Sequence, residues 1–446
     1  MAAQLESNSK ALAAEAPSAA APSPETWSRP ARVAFRFAFL YLILYSFPFP
    51  IGAIAYTDWP AEKYQAIWHF VVPWVGKHIL HISYPITIFT NGSGDTTYDY
   101  VLDLCFLVLA LLGAILWSAL ARKSTTSYRA PYEWVRFYVR MVLGATMISY
   151  GAFKVIKSQF PSPSLGKLLE PYGEASPMGL LWTFIGASKP YNIFTGLVEM
   201  AGGALLIIPR CAALGAFISI AALANIFMLN MSYDVPVKLY SFNLLLMGAF
   251  LTLPQLRGLF DFLILHRPAQ PAVCPALFRG KIFNRGLLVF QLALGLFFIC
   301  MTLYQSHKQA LQFGDLSPKS PYYGMWSVEE FSLDGQPRPP LLTDDARWRR
   351  VVFDLPKFLT ILPMNGPRQF FSLSLDSPPR NLTLTKQNAP AWKAQFAFQQ
   401  PEPSVILLEG QMDSHKIQAR LRREDLSKFL LTSRGFHWIN EFPFNR

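Results

Sequence analysis

Tyr191-Asn-Ile-Phe-Thr-Gly-Leu-Val-Glu-Met-Ala-Gly-Gly-Ala-Leu-Leu-Ile-Ile-Pro-Arg210 is apolar enough to span a bilayer, yet it carries Glu199 near its middle. A carboxylate at that depth costs at least about 2.5–3.5 kcal/mol to insert, so it requires a partner, a proton or a water-lined cavity. Asn192, Gly196, Glu199 and Gly203 recur at i, i+4, i+7 and i+11 and share one helical face. The two glycines on that face let a neighbouring backbone approach closely.

The chain around this stretch is 446 residues long, 52% hydrophobic and only 15% charged. That composition points to a polytopic membrane protein with room for one additional soluble domain. The net charge of +12 is not a nucleic-acid signal, because much of the excess flanks apolar runs, where cytoplasmic Lys and Arg are expected. The four cysteines, Cys105, Cys211, Cys274 and Cys300, have no C-x-x-C spacing and suggest neither a metal site nor a disulfide framework.

Residues 1–28, rich in Ala, Ser and Pro, read as a disordered tail. Arg29, Arg32 and Arg36 precede a first apolar run from Phe37 to about Tyr56; a cleaved signal peptide ending near Ala53-Ile-Ala55 is the competing reading. Tyr64 to His81 reads as an outer interfacial helix, and Asn91-Gly-Ser-Gly-Asp95 as a turn. Further spans are expected at about Tyr98–Leu120, Val135–Lys157, Tyr191–Arg210, Ala212–Met231, Val237–Leu253 and Gly286–Tyr304. With the first run this makes seven transmembrane helices. The Lys and Arg bias places the N-terminus inside, in the cytoplasm, and the C-terminus outside.

From about Phe313 the pattern changes to short apolar runs with turn residues between them, beginning at Met325–Phe331 and Arg349–Phe353. That is a β meander suited to a barrel or sandwich. The expected division is therefore a tail (1–28), two N-terminal helices with an outer amphipathic loop (29–134), a four-helix membrane core (135–253), a cytoplasmic loop with the seventh helix (254–312) and a periplasmic β domain (313–446).

Two resemblances follow from particular residues. Arg140-Met-Val-Leu-Gly144, Ser149-Tyr-Gly-Ala-Phe-Lys154, Gly196-Leu-Val-Glu199 with Gly202-Gly203 and Pro209-Arg210, and Asn225 together resemble the DoxX family of bacterial inner-membrane proteins. The resemblance implies a four-helix bundle, and in a family that includes subunits linked to thiosulfate:quinone oxidoreduction it implies an accessory, redox-linked role. Gly324-Met-Trp326 resembles the Gly-x-Trp of lipocalin-type barrels, in which a late Arg packs over the Trp; Arg434 is the expected counterpart here. A looser likeness, of architecture alone, is to the vitamin K-dependent carboxylase type, which joins a bundle to an outer β domain and uses a membrane-embedded Lys.

Arg140, Gly144, Gly151 and Lys154 form one stripe of the third span. Glu199 lies about ten residues, or roughly 15 Å, from the outer end of the fourth. Asn225, Lys238 and Asn243 sit at comparable depth or nearer the outside, so Lys154, Glu199, Asn225, Lys238 and Asn243 are expected to form one polar cluster. It reads either as an ion pair with interhelical hydrogen bonds or as a proton-coupled quinone site of a membrane oxidoreductase or carboxylase-like enzyme. No cofactor motif is evident, so electrons would come from a membrane redox partner or from the quinone itself. Secondary candidates are Arg140, Arg434 and Asp103, the deeper of the pair Asp99 and Asp103 at a solvated or pore-facing helix end. His69, His78 and His81 read as interfacial anchors rather than metal ligands. The expected partners are thus the lipid bilayer and a quinone or redox protein, with no nucleic acid and no metal.

Overall fold

A computed structural model describes residues 27–52, 57–88, 92–121, 128–268, 276–376, 381–386 and 388–445. The expectations for the tail before Trp27, for the cleavage site Ala53–Ala55, for Asn91 and for Cys274 fall outside the described residues. Among the described residues there are eleven α-helices and nine strands.

The helices in the first part are α1 (Arg29–Ser46), α2 (Asp58–His78), α3 (Thr97–Leu120), α4 (Arg129–Val155), α5 (Leu165–Leu168), α6 (Pro177–Ala187), α7 (Lys189–Ile207), α8 (Ala212–Ser232), α9 (Lys238–Leu263) and α10 (Lys281–Phe313). Their starts are written in local chemistry. Ser28 caps α1 by accepting from the Ala31 N–H at 3.4 Å, with Pro30 in the first turn. Thr96 and Asp99 form a capping box on α3: the Asp99 N–H donates to Thr96 Oγ1 (3.3 Å) and the Thr96 N–H to Asp99 Oδ2 (2.9 Å). Asp99, expected at a solvated or pore-facing end, is therefore a capping residue.

Among the described residues four helices, α3, α8, α9 and α10, are long and apolar enough to cross a membrane. Helices α4 and α7 form where spans were expected but are more polar, whereas α1 is displaced from the expected Phe37–Tyr56 run: it takes in the arginines expected to precede that run and ends already at Ser46. Arg29, Arg32 and Arg36 interrupt α1, Arg140 and Lys154 interrupt α4, and Asn192 and Glu199 interrupt α7.

After α10 the chain builds β1 (Gly324–Leu333), the two-residue β2 (Gln336–Pro337), β3 (Trp348–Phe353), β4 (Phe358–Pro363), β5 (Gln369–Leu375), β6 (Asn381–Lys386), β7 (Ala389–Glu402), β8 (Val405–Met412) and β9 (His415–Arg423), followed by the short helix α11 (Leu430–Ser433). The eight long strands form an antiparallel meander, and β1 pairs with β9 to close it into a barrel. Strand β4 was not expected: Pro356 and Pro363 bracket its short apolar run, and prolines read as breakers.

The barrel interior is filled by side chains from all eight long strands, among them Trp326, Phe331, Trp348, Phe353, Phe371 and Phe396. That matches an eight-stranded barrel whose bore is just wide enough for its own core. Of the register shifts in the sheet, two adjust which residues of β1 and β3 point inward. One lies between Val328 and Glu330 on β1, the other between Trp348 and Arg350 on β3. The extra residue lets Val328 and Phe331, an odd number apart, both face the core.

Arg347 joins the two irregularities. It is 2% exposed, and its guanidinium donates to the carbonyls of Val328 (3.2 Å), Trp348 (3.0 Å) and Arg338 (2.9 Å). A buried guanidinium is tolerable because its donors are met by backbone oxygens.

The chain packs as two compact units. One comprises the described residues of Met1–Ile148 with Ala201–Phe297, the other Ser149–Met200 with Phe298–Arg446. Within the second unit, the segment after α4 lies against the barrel wall. Leu165 buries itself on Met325 and Val352, which point outward from β1 and β3. Asp354 Oδ2 accepts from the Leu165 N–H at 3.1 Å, and Arg368 donates to the Gly166 carbonyl at 2.9 Å. Burial raises the Asp354 carboxyl above its ordinary range despite the backbone N–H groups of Leu165 and Gly166 that face it.

Candidate functional site

In the second unit, α4 and α7 cross where Gly151 meets Gly196. A Cβ added at Gly151 would lie 2.5 Å from the Gly196 carbonyl oxygen, and one at Gly196 would lie 2.6 Å from the Gly151 oxygen. Only glycine permits that approach, so the two residues bring the backbones together and set the depth of their neighbours. One turn beyond, Lys154 Nζ donates to Glu199 Oε1. Lys154 is 7% exposed and Glu199 2%.

The surroundings satisfy this pair only in part. Lys154 Nζ also stands 6.0 Å from the centroid of the Phe160 ring. Asn192, fully buried, donates through Nδ2 to the Phe160 carbonyl at 2.9 Å. Glu199 Oε2 and Asn192 Oδ1 are buried acceptors with no hydrogen-bond partner among the described residues.

Just past α4, Lys157 Nζ donates to Asp315 Oδ2 and Ser162 Oγ, each at 2.8 Å, and to the Gly186 carbonyl at 3.2 Å. Burial pushes the Asp315 carboxyl up, but Lys157 and the N–H and hydroxyl of Ser162 outweigh it and hold the group below the usual carboxylate range. A depressed native value stabilises the fold above the unfolded value of about 3.9, and that contribution is lost as pH falls through the native value. Hydrogen exchange at Ser162 is accordingly expected to rise below about pH 4, after correction for intrinsic rates, and Asp315→Asn should remove the step. An unchanged profile in wild type would show that the ion pair does not hold this segment.

Of the residues expected to cluster with them, Asn225, Lys238 and Asn243 lie in the first unit and have surroundings of their own there. Asn243 belongs to the first unit, where the Tyr41 hydroxyl bridges Asn243 Oδ1 and Asp103 Oδ1, the latter at 2.8 Å. Asp103 is thus a partner of α1 and α9 rather than a pore-facing end. Lys238 opens α9 and pairs with Asp234 (2.8 Å) and Asp95 (3.6 Å). The Asp95 carboxylate also accepts from the N–H groups of Lys238 and Leu239, each at 2.9 Å, capping the helix. Asn225 is exposed on α8, and Asn230 is instead the buried asparagine of that helix, donating to Ser241 Oγ at 3.0 Å.

Arg434 does not reach the Gly-x-Trp. It donates to Asn440 Oδ1 at 2.8 Å and stacks on Phe444 with its guanidinium carbon 3.9 Å from the ring centroid. The arginine at that place is Arg423, which pairs with Trp326 across β1 and β9. A Cβ built on Gly324 would meet Arg423 Nε at 3.3 Å and Trp326 Nε1 at 3.6 Å, so both side chains converge on the glycine. Arg423 also donates to the Tyr323 carbonyl at 3.1 Å.

The structure further shows a basic pocket that sequence reasoning missed, although its Arg140 had been noted. In the first unit, a cavity of about 480 Å³ is lined by Glu133, Arg136 and Arg140 of α4, Arg210 after α7, and Gln291 of α10, together with apolar side chains. Arg140 donates to Gln291 Oε1 at 2.7 Å. Arg136 donates to both oxygens of Glu133, at 3.2 and 3.4 Å, while its buried Nε has no hydrogen-bond partner among the described residues. The available signal was the i, i+4 spacing of Arg136 and Arg140; Arg210, 70 positions on, could not be attached to it from spacing alone.

No family model matches the chain, and no solved structure matches it. The uncharacterized protein YwoB of Bacillus subtilis (strain 168) is 36% identical over 110 residues, which is 24% of this chain and 68% of YwoB. Over that segment, this chain belongs to the same family as YwoB.

Proposed function

We propose that the chain is a multi-pass inner-membrane protein of DoxX type, with an accessory rather than a catalytic role. In this reading α1, α3, α4, α7, α8, α9 and α10 cross the bilayer and the C-terminal barrel is periplasmic. The observation that carries the accessory role is the Lys154–Glu199 pair, clamped beside the Gly151–Gly196 crossing where the two backbones already touch. A charge pair packed this closely neutralises two ions that lipid would not accept singly and ties two helices together. The closed, side-chain-filled barrel supports an outer module that presents its surface to a partner.

A second reading rests on a different observation, the two buried acceptors Glu199 Oε2 and Asn192 Oδ1. A quinol hydroxyl is a donor that could satisfy Glu199, and a carboxylate beside an ammonium is suited to taking its proton. Under this reading the protein is a membrane oxidoreductase whose electrons pass to a partner.

Reporter fusions at positions 10 and 400 test the membrane arrangement, with a cytoplasmic signal expected at the first and a periplasmic signal at the second. A cytoplasmic signal at 400 would change the number of spans and overturn the periplasmic barrel. Extraction of the purified protein followed by mass spectrometry separates the two functions. Bulk phospholipid alone supports the accessory role, whereas a stoichiometric quinone supports the oxidoreductase.

A further inference from the structure

We propose that the pocket at Arg136, Arg140 and Arg210 holds the phosphate headgroup of an anionic phospholipid. Its three guanidiniums face one carboxylate, Glu133, so the lining carries an excess of two positive charges. Planar guanidiniums hold phosphate through paired N–H donors. Each arginine is held differently. Arg140 is anchored by the buried Gln291 and lies over Phe137. Arg136 is shared with Glu133 and packs on Tyr132, with its Nε unpartnered among the described residues. Arg210 is exposed and follows Pro209 in the tight turn between α7 and α8, which brings it to the α4 pair.

The rest of the lining favours a lipid over a free anion. Leu206, Ile208, Leu251, Leu287 and Leu288 give the pocket an apolar side suited to the start of an acyl chain. A volume of about 480 Å³ exceeds what one bare phosphate fills and lies within the usual range for small-molecule sites, about 300–1,000 Å³. Basic pockets between helices on the cytoplasmic side are where anionic headgroups bind. The placement of this pocket on that side rests on the membrane arrangement proposed above.

The test uses the full-length protein in neutral detergent, with native mass spectrometry and thermal unfolding. Added phosphatidylglycerol is expected to bind saturably and raise the unfolding temperature, with phosphatidylcholine at least tenfold weaker. Arg210→Gln, an exposed change that leaves the helices intact, is expected to weaken phosphatidylglycerol binding about tenfold, and Arg136→Gln/Arg140→Gln about a hundredfold. Inorganic phosphate in the millimolar range should compete only weakly. Equal binding of the two lipids, or Arg210→Gln binding like wild type, overturns the proposal. Phosphate displacing the lipid on equal terms overturns the lipid assignment in favour of a free anion. These outcomes are independent of the reporter fusions: a periplasmic signal at 400 with no lipid preference removes this site and leaves the membrane arrangement standing.

Discussion

Lys154→Met is expected to destabilise the protein by about 3–5 kcal/mol, because it leaves the Glu199 carboxylate buried without its cation. Glu199→Gln should cost a similar amount by stranding the ammonium. The double replacement Lys154→Met/Glu199→Met should recover most of the loss, since two apolar side chains of comparable length need no solvation in lipid. The pair is suited to such a cycle: its members are 7% and 2% exposed and the glycine crossing fixes their separation. The measurement is thermal unfolding in detergent of the wild type, both single variants and the double. A Glu199→Gln protein as stable as wild type would refute the ion pair as a stabilising element and leave Glu199 protonated or reached by water. Repeating the series with added quinone separates the two functional readings. Stabilisation of wild type that disappears in the double variant would favour the oxidoreductase; no response in any form favours the accessory role.

Arg347→Met is expected to cost about 3–5 kcal/mol of barrel stability, by a different mechanism. The side chain donates to four carbonyls, those of Arg338, Trp348, Val328 and Glu329, and methionine donates to none. Each carbonyl left buried and unpaired costs about 1–3 kcal/mol, with some relief where water enters. The effect should concentrate at the register shifts of β1 and β3, since three of the four accepting oxygens, those of Val328, Glu329 and Trp348, lie there. Hydrogen exchange of peptides covering β1 and β3 in the full-length protein would then accelerate ahead of β5 and β6. Arg347→Lys keeps the charge but replaces a planar fork with a point donor, so an intermediate loss is expected. A methionine variant within about 1 kcal/mol of wild type would mean that water already serves these carbonyls.

Much of the architecture follows from local pattern. The helix positions, the change to β structure after Phe313 and the glycine seam of α4 and α7 are set by residue spacing, because burial of one face imposes period 3.6 or 2. The Lys154–Glu199 pair was legible for the same reason: two opposite charges in adjacent apolar helices have few other places to go. Strand β4 was not legible, because its flanking prolines carry the ordinary signal of a loop although they sit only at the strand's edges.

The residues misassigned from sequence share one cause. Asp103 meets Tyr41 on a helix that begins far earlier in the chain, and Asn243 joins them across 202 positions, so the group depends on how three helices are rotated about their axes. Arg423, rather than Arg434, reaches Gly324 because the β1–β9 register places it opposite Trp326, and no single strand fixes that register. Arg347 reads from sequence as one more surface arginine before a strand; only the pairing of β1 with β3 brings the Val328 and Glu329 carbonyls to it. Likewise Arg210 reads as an inner-loop charge until the turn after α7 carries it to Arg136 and Arg140. Periodicity determined which face of each element is apolar and where polar groups are forced inside. Crossing angle, helix rotation and strand register decided which of those groups meet, because they arise from the packing of side chains that no single segment contains.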